Sequence, residues 1–395
     1  MKKKLLFSIE SLRIGGAEKS LVTLLSKIDY KKFDVDLFLF NYSGEFISLV
    51  PKEVNIINKD NDYKFFSAPP IKSLTNLLIS KKYNLFFTKF IFLFILTIHK
   101  YILKKEYIGW KYVSHFLPKF NKEYDLSVGF LEKKSIYFSV DHVKAKKKVG
   151  WIHTDYSKIP YNYKLDNHYF KELDFIMTVS KHCKEVLMQK FPACNHKIKI
   201  INNIVSPNLI KSMANEMVKH NIEKSTDEIL IVTVCRLIPQ KGIEDAINAC
   251  EKLGNQGFKI KWIVIGDGPE KEKLTSLIKN KGLVKQFFLF GSKGNPYPYM
   301  KMCDIYVQPS HVEGFGITVL EAKILGKAIV TSDIPEFREQ IQHHENGLTY
   351  GNIDELVSNI VKIIKEKDLS LKFMRNLENQ QFDNSIEINQ LVKII

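Results

Sequence analysis

The stretch Ser310-His311-Val312-Glu313-Gly314-Phe315-Gly316-Ile317-Thr318-Val319-Leu320-Glu321-Ala322 decides how this chain is read. It puts one glutamate in a glycine-punctuated loop and a second inside the helix that the loop opens. Gly314 and Gly316 leave the backbone uncrowded, so main-chain amides can approach a ligand closely. Ile317, Thr318 and Val319 then offer N–H groups at a helix N-terminus, a natural seat for phosphate. Two carboxylates beside such a seat would repel the phosphate itself. They make sense as acceptors for hydroxyls, one for those of a sugar and the other for a ribose diol. The ligand described by these residue types is a nucleotide sugar. The strand just before, Asp304 to Ser310, supports this, because ligands of open α/β sheets sit at strand carboxyl ends.

A second segment converges on the same ligand. Ile229-Leu230-Ile231-Val232-Thr233-Val234-Cys235 is a continuous apolar run, as in a strand covered on both faces. Arg236-Leu237-Ile238-Pro239-Gln240-Lys241-Gly242 follows it. Two cations just past a strand can clamp a diphosphate, Arg236 through its planar fork and Lys241 as a point charge. They supply positive charge of the kind that a metal ion supplies elsewhere. Further on, Gly266-Asp267-Gly268-Pro269 starts like a dinucleotide fingerprint. The third glycine is missing and Pro269 opens a helix instead, which makes an NAD-dependent oxidoreductase a distant alternative.

Strand and helix patterns alternate along the chain. Strands are expected at 4–10, 35–40, 125–130, 149–152 and 175–179, with a helix from near Ala17 and a less regular, aromatic and basic region from Asp60 to about Lys122. From Ile229 the alternation is clean, with strands at 229–235, 262–266, 287–290, 304–308 and 328–331. Such alternation implies parallel sheets with helices on both faces. A chain of 395 residues is long for one core and suggests two domains. The hinge is placed near Val205-Ser206-Pro207-Asn208, giving domains 1–205 and 206–370.

Taken in order, these motifs resemble the retaining nucleotide-sugar glycosyltransferases of glycosyltransferase family 4, in particular bacterial members that build capsular or other surface polysaccharides. The resemblance also rests on Gly15-Gly16-Ala17-Glu18 after the first strand, Gly150-Trp151-Ile152-His153-Thr154-Asp155, Thr178-Val179-Ser180 and Ile201-Asn202-Asn203. It implies a GT-B fold, two Rossmann-like domains facing across a cleft, with the last helix, about 371–395, crossing back to the first domain. It implies transfer with retention at the anomeric carbon, no cofactor and no required metal. Front-face attack is favoured, in which the departing diphosphate helps take the acceptor proton. Glu313, His153, Arg236 and Lys241 are the expected catalytic set, with Glu313 on the donor-sugar hydroxyls and His153 near the transferred sugar. Gly15, Gly16, Arg236, Lys241, Gly266, Phe315, Gly316, Ile317, Thr318, Val319 and Glu321 are expected to hold the nucleotide sugar, with Glu321 on the ribose. Glu18 is read as a helix-opening acid, favourable for the helix dipole.

Composition agrees. Hydrophobic residues at 45% and charged residues at 26% are those of a globular protein. The five cysteines (Cys183, Cys194, Cys235, Cys250 and Cys303) show no metal-ligand or disulfide spacing and read as reduced cytosolic thiols. Met1 to Phe7 mimics a signal peptide, but Glu10 and Arg13 interrupt it, and a first buried strand explains it better. The net charge of +16 implies an anionic partner. No nucleic-acid-binding pattern is present, which leaves a membrane surface. Leu85 to Leu103 is rich in phenylalanine and bounded by Lys81, Lys82, Lys100, Lys104 and Lys105. Lys89 and His99 leave its apolar run too short to span a bilayer. A helix of this kind can lie in the membrane interface, be buried in the first domain, or both. The expected function is transfer of a hexose or N-acetylhexosamine, from a UDP-sugar by preference, to a glycan acceptor expected to be lipid-linked. The expected place is the cytoplasm, peripheral on the inner face of the plasma membrane. A non-catalytic nucleotide-sugar binder or scaffold subunit is the alternative.

Overall fold

A computed structural model of the chain describes residues 2–57, 69–98, 110, 114, 117–118, 120–159, 162–217, 222, 224–384 and 386–395. The chain separates into two compact units. The first comprises Met1–Thr178, Val186–Ile201 and Ile388–Ile395, and the second Val179–Glu185 and Asn202–Glu387. Each is an α/β unit of Rossmann-like type, as the alternating pattern predicts.

The first unit holds seven strands: β1 (Lys3–Ile9), β2 (Phe33–Leu39), β3 (Asn55–Ile57), β4 (Glu123–Gly129), β5 (Lys144–Ile152), β6 (Phe175–Thr178) and β7 (Ile198–Ile200). Their order is β3-β2-β1-β4-β5-β6-β7, and every pair is parallel. Leu5, Leu6, Phe7 and Ile9 of β1 are all buried, as a central parallel strand with both faces covered requires.

The second unit has β8 (Ile229–Val234), β9 (Ile260–Ile265), β10 (Phe287–Leu289), β11 (Ile305–Gln308), β12 (Ala328–Ser332) and β13 (Leu348–Tyr350), in the order β10-β9-β8-β11-β12-β13. Successive side chains of a strand point to opposite faces, and its core divides accordingly. Ile231, Trp262, Val264, Val307 and Val330 face the helices Ile243–Asn255 and Ile353–Lys365. Leu230, Val232, Ile263, Tyr306 and Ile329 join a core with residues of the helix Ile317–Ile324. Burying each such side chain contributes about 1.5–3 kcal/mol.

Strands β3, β7 and β13 were not predicted. Each is a three-residue edge strand that includes a polar residue, Asn55, Lys199 or Thr349, whereas the equally short β10 is wholly apolar and was read. Besides the excursion of Val179–Glu185 into the second unit, the divisions fall at 201/202 and 387/388, against 205/206 and about 371 read from the sequence. The later division has a cause in packing. The helix Lys367–Glu378 buries Phe373 and Leu377 in the core of the second unit. The last eight residues go with the first unit, where Lys3 and Lys147 donate from Nζ to the carbonyls of Ile395 and Ile394 at 3.1 and 2.7 Å.

In the first unit, helices Pro70–Ile79 and Tyr83–Ile98 pack against each other. The second of them turns Lys89 and Phe92 inward, and Tyr83, Phe87, Phe90, Ile91 and Phe94 outward. The inward face fits the buried-helix reading, and the outward face is an exposed apolar stripe. His99, Lys100, Leu103, Lys104 and Lys105 lie outside the described residues. Among the described residues, no helix is long and apolar enough to cross a membrane.

Candidate functional site

In the second unit, consecutive connections leave the sheet in opposite directions from β8 and β11, which are neighbours. This is the switch point at which open α/β sheets bind ligands, outside the strand carboxyl ends. The segment after β8 carries Arg236 and Lys241, and the segment after β11 carries Glu313 and the opening of the helix Ile317–Ile324. The topology thus brings the two sequence motifs to one place.

Close backbone contact holds the two segments together. The N–H groups of His311 and Val312 donate to the carbonyl of Gln240 at 2.8 and 3.4 Å. Gly242 has φ 62°, and a Cβ there would sit 2.0 Å from the carbonyl oxygen of Pro309. Only glycine fits both demands. Lys241 and Glu313 then form an ion pair, Nζ to Oε1 2.6 Å, with side chains only 17% and 13% exposed. Lys241 is not a free cation at the loop surface. It is instead paired and mostly buried, because the short gap between the two loops puts a carboxylate against it.

Arg236 is exposed, and among the described residues none bonds its side chain. Its loop is laced to the turn after β9: Leu237 N–H donates to the carbonyl of Asp267 at 3.0 Å, and Glu270 N–H to that of Leu237 at 3.1 Å. Gly266 has a packing reason of its own, since a Cβ there would lie 1.7 Å from the carbonyl oxygen of Cys235.

Glu313 is oriented by a chain of buried side chains. Tyr306 Oη donates to Gln308 Oε1 at 2.7 Å, Gln308 Nε2 to Ser310 Oγ at 2.9 Å, and Ser310 Oγ to Glu313 Oε1 at 2.8 Å. Thr318 Oγ1 also donates to Gln308 Oε1, at 3.2 Å. Glu321 is almost fully buried, and its Oε1 accepts from Tyr297 Oη at 3.2 Å. Burial, and then the nearby Glu321 carboxylate, hold the Tyr297 phenol well above its usual range, so it remains a donor. Glu321 is thus a fixed carboxylate rather than a solvated helix residue.

At the helix opening, Gly316 adopts φ 79°, and its amide precedes those of Ile317 and Thr318. One expected donor is not available. The Val319 N–H bonds the carbonyl of Gly316 at 3.0 Å, because the first turn is tight. Phe315 is half-buried beside this turn.

The remaining candidates belong to the first unit. Gly15 precedes the helix Gly16–Lys27 with extended backbone, and Glu18 lies in the first turn of that helix, as expected of a helix-opening acid. His153 immediately follows β5. Its ring stacks near-parallel on Trp151 at 5.8 Å and tilts against Phe130 at 4.7 Å. The His153 backbone N–H donates to Glu132 Oε1 at 2.7 Å. Burial raises the Glu132 carboxyl above its ordinary range, opposed by hydrogen bonds from residues including His153 and Thr154.

Sequence reasoning missed Ser310, Gln308, Tyr297 and Glu132. Ser310 and Gln308 stood in the strand that was read, at alternate positions pointing to one face, and that spacing was the available signal. Tyr297 and Glu132 lie 24 and 21 residues from their partners Glu321 and His153, and nothing local marks them.

Residues 215–380 match the family model for glycosyl transferases group 1. The chain is 38% identical over 113 residues to the O-antigen biosynthesis glycosyltransferase WclY of Escherichia coli, covering 29% of this chain and 31% of that protein. It is 28% identical over 179 residues to the N,N'-diacetylbacillosaminyl-diphospho-undecaprenol alpha-1,3-N-acetylgalactosaminyltransferase of Campylobacter jejuni, covering 44% and 45%. These matches span less than half the length of the curated relatives. The whole chain superposes on the crystal structure of HepE from Anabaena in complex with UDP-glucose with a TM-score of 0.70 at 18% identity, covering 99% of this chain and 98% of that one. For WaaG, a glycosyltransferase involved in lipopolysaccharide biosynthesis, the TM-score is 0.62 at 13% identity, covering 99% of both chains. The fold is that of these GT-B glycosyltransferases.

Proposed function

We propose that the protein transfers a hexose or N-acetylhexosamine from a nucleotide-diphosphate sugar to a glycan acceptor, with retention at the anomeric carbon. One observation carries this reading. Two cations, Arg236 and Lys241, two carboxylates, Glu313 and Glu321, and a helix N-terminus all stand on the segments that follow β8 and β11 at the switch point. Arg236, Lys241 and the amides of Gly316, Ile317 and Thr318 hold the diphosphate. Glu313 accepts from the donor-sugar hydroxyls and Glu321 from the ribose. The bond from the anomeric carbon to the diphosphate breaks, the acceptor oxygen takes its place on the same face, and the acceptor proton passes to the departing diphosphate. The two cations and the amides stabilise the charge that develops there, with no metal required.

UDP is the preferred nucleotide, since the fold is shared with a structure that binds UDP-glucose. In this reading Gly15 and Gly16 of the first unit serve the donor phosphate and the acceptor, and His153 the transferred sugar. The acceptor is a lipid-linked glycan of bacterial surface polysaccharide synthesis, a reading supported by the O-antigen and diphospho-undecaprenol relatives. Attachment is peripheral, on an anionic membrane at its cytoplasmic face. The outward stripe Tyr83, Phe87, Phe90, Ile91 and Phe94 is an apolar helix face next to Lys81 and Lys82, in a chain of net charge +16. The reading is tested by a thermal-shift panel of UDP- and GDP-sugars, followed by hydrolysis assays on whichever donor binds. Stabilisation by none of them contradicts it.

A further inference from the structure

The donor site depends on how the Phe315–Gly316 turn is held, and one buried side chain outside the recognised motifs holds it. Gln340 stands just past the short helix Pro335–Arg338 and is almost wholly buried. Its Nε2 donates to the carbonyl of Phe315, and at 3.4 Å to that of Gly316. In a planar trans peptide, C=O and the next N–H point in opposite directions. Drawing the carbonyls of residues 315 and 316 toward Gln340 therefore turns the N–H groups of Gly316 and Ile317 away from it, to the side assigned to the diphosphate.

Two further observations give this contact a purpose beyond packing. Gln340 Oε1 is buried and has no hydrogen-bond partner among the described residues. A buried amide that leaves its acceptor unsatisfied is a poor filler, and an apolar side chain of its size would be better tolerated. The amide is engaged here through its donor alone. The main chain of Gln340 is itself anchored, since its carbonyl accepts from the buried Lys323 Nζ at 2.8 Å and from Asn346 Nδ2 at 3.3 Å. Phe337 completes the brace by lying against Gly316, where a Cβ would meet its ring at 2.4 Å.

We infer that Gln340 is a positioning residue for the donor diphosphate, which aims the Gly316 and Ile317 amides by holding the carbonyls behind them. The inference rests on the nucleotide-sugar reading of this site. A role in aiming phosphate-binding amides separates UDP from uridine, which lacks phosphate. A merely structural role does not.

The test is therefore affinity for UDP by calorimetry and for uridine by ligand-observed NMR, in the full-length wild type, Gln340→Met and Gln340→Glu. GDP and guanosine serve as a second pair. Gln340→Met is expected to lose about tenfold in UDP affinity, the scale of one hydrogen bond's net worth, with uridine unchanged. Gln340→Glu, whose carboxylate would face two carbonyls, is expected to lose more. If neither folds, Lys323→Met removes one of the two donors to the Gln340 carbonyl, along with a contact to the Phe382 ring, and is expected to show the same selective loss, smaller in size. UDP affinity equal to wild type in a folded variant overturns the inference, and so does a parallel loss for UDP and uridine. A wild-type protein that binds neither nucleoside diphosphate overturns the donor reading itself, and the brace with it.

Discussion

The Lys241–Glu313 pair yields a quantitative expectation. A fully buried ion pair that loses one partner costs about 3–5 kcal/mol, because a charge is left without compensation. An exposed pair is worth about 0–1 kcal/mol. Here the side chains keep 17% and 13% exposure, and the bond from Ser310 Oγ to Glu313 Oε1 survives the loss of Lys241. Lys241→Met is therefore expected to destabilise the protein by about 1–3 kcal/mol, a fall in melting temperature of several degrees for a unit of this size. Glu313→Gln keeps the hydroxyl contact and removes the charge, so the double variant should recover much of that loss. Thermal unfolding of wild type, both single variants and the double variant closes a cycle with a coupling of about 1–2 kcal/mol. A coupling below about 0.3 kcal/mol, the level at which independent sites add, would refute the pairing.

The same pair bears on the ligand. Glu321→Ala should weaken UDP and the intact UDP-sugar alike, whereas Glu313→Ala should weaken the sugar nucleotide and leave UDP bound as tightly or more so; equal losses in both, measured by calorimetry, would count against this division. Replacing the outward Phe87, Phe90 and Phe94 with serine should abolish sedimentation with anionic liposomes without unfolding the protein, since these side chains are 61%, 55% and 62% exposed. Phe92→Ser should destabilise the fold instead, as its ring is buried. Burial lowers the Lys323 ammonium to about 8 from an ordinary value of 10.5. Between those values the unfolded chain binds more protons than the folded one, so stability should rise with pH across that window. Lys323→Met should flatten the rise, and an unchanged slope in pH-dependent denaturation would show that the lysine is not buried in solution.

Much of this was legible in the sequence, for physical reasons. Continuous apolar runs such as Ile229–Val234 report strands covered on both faces, so the central strands could be read, and their alternation with helices marked the sheets as parallel. Arg236, Lys241, Glu313 and Glu321 stood out because chemistry-bearing residues cluster where strands end. Two kinds of fact were hidden. One is the three-residue edge strand interrupted by a polar residue, as in β3, β7 and β13, which shows neither a period nor an apolar run. The other is tertiary pairing, as in Lys241 with Glu313, Tyr297 with Glu321, and Gln340 with Phe315. Lys89 shows the limit from the other side. In sequence it interrupts an apolar run, but in the fold it faces inward and leaves the outward stripe unbroken.

The central claim is that the β8–β11 switch point stabilises a departing diphosphate, and Arg236 tests it most directly, being exposed and without a partner among the described residues. The measurement is kcat/KM for the donor identified by binding, in wild type, Arg236→Ala and Lys241→Ala. Removing either cation is expected to cost on the order of 2–4 kcal/mol of transition-state stabilisation, a loss of about a hundred- to a thousandfold, with the Arg236 variant as stable as wild type. Wild-type kcat/KM in both variants would contradict the account.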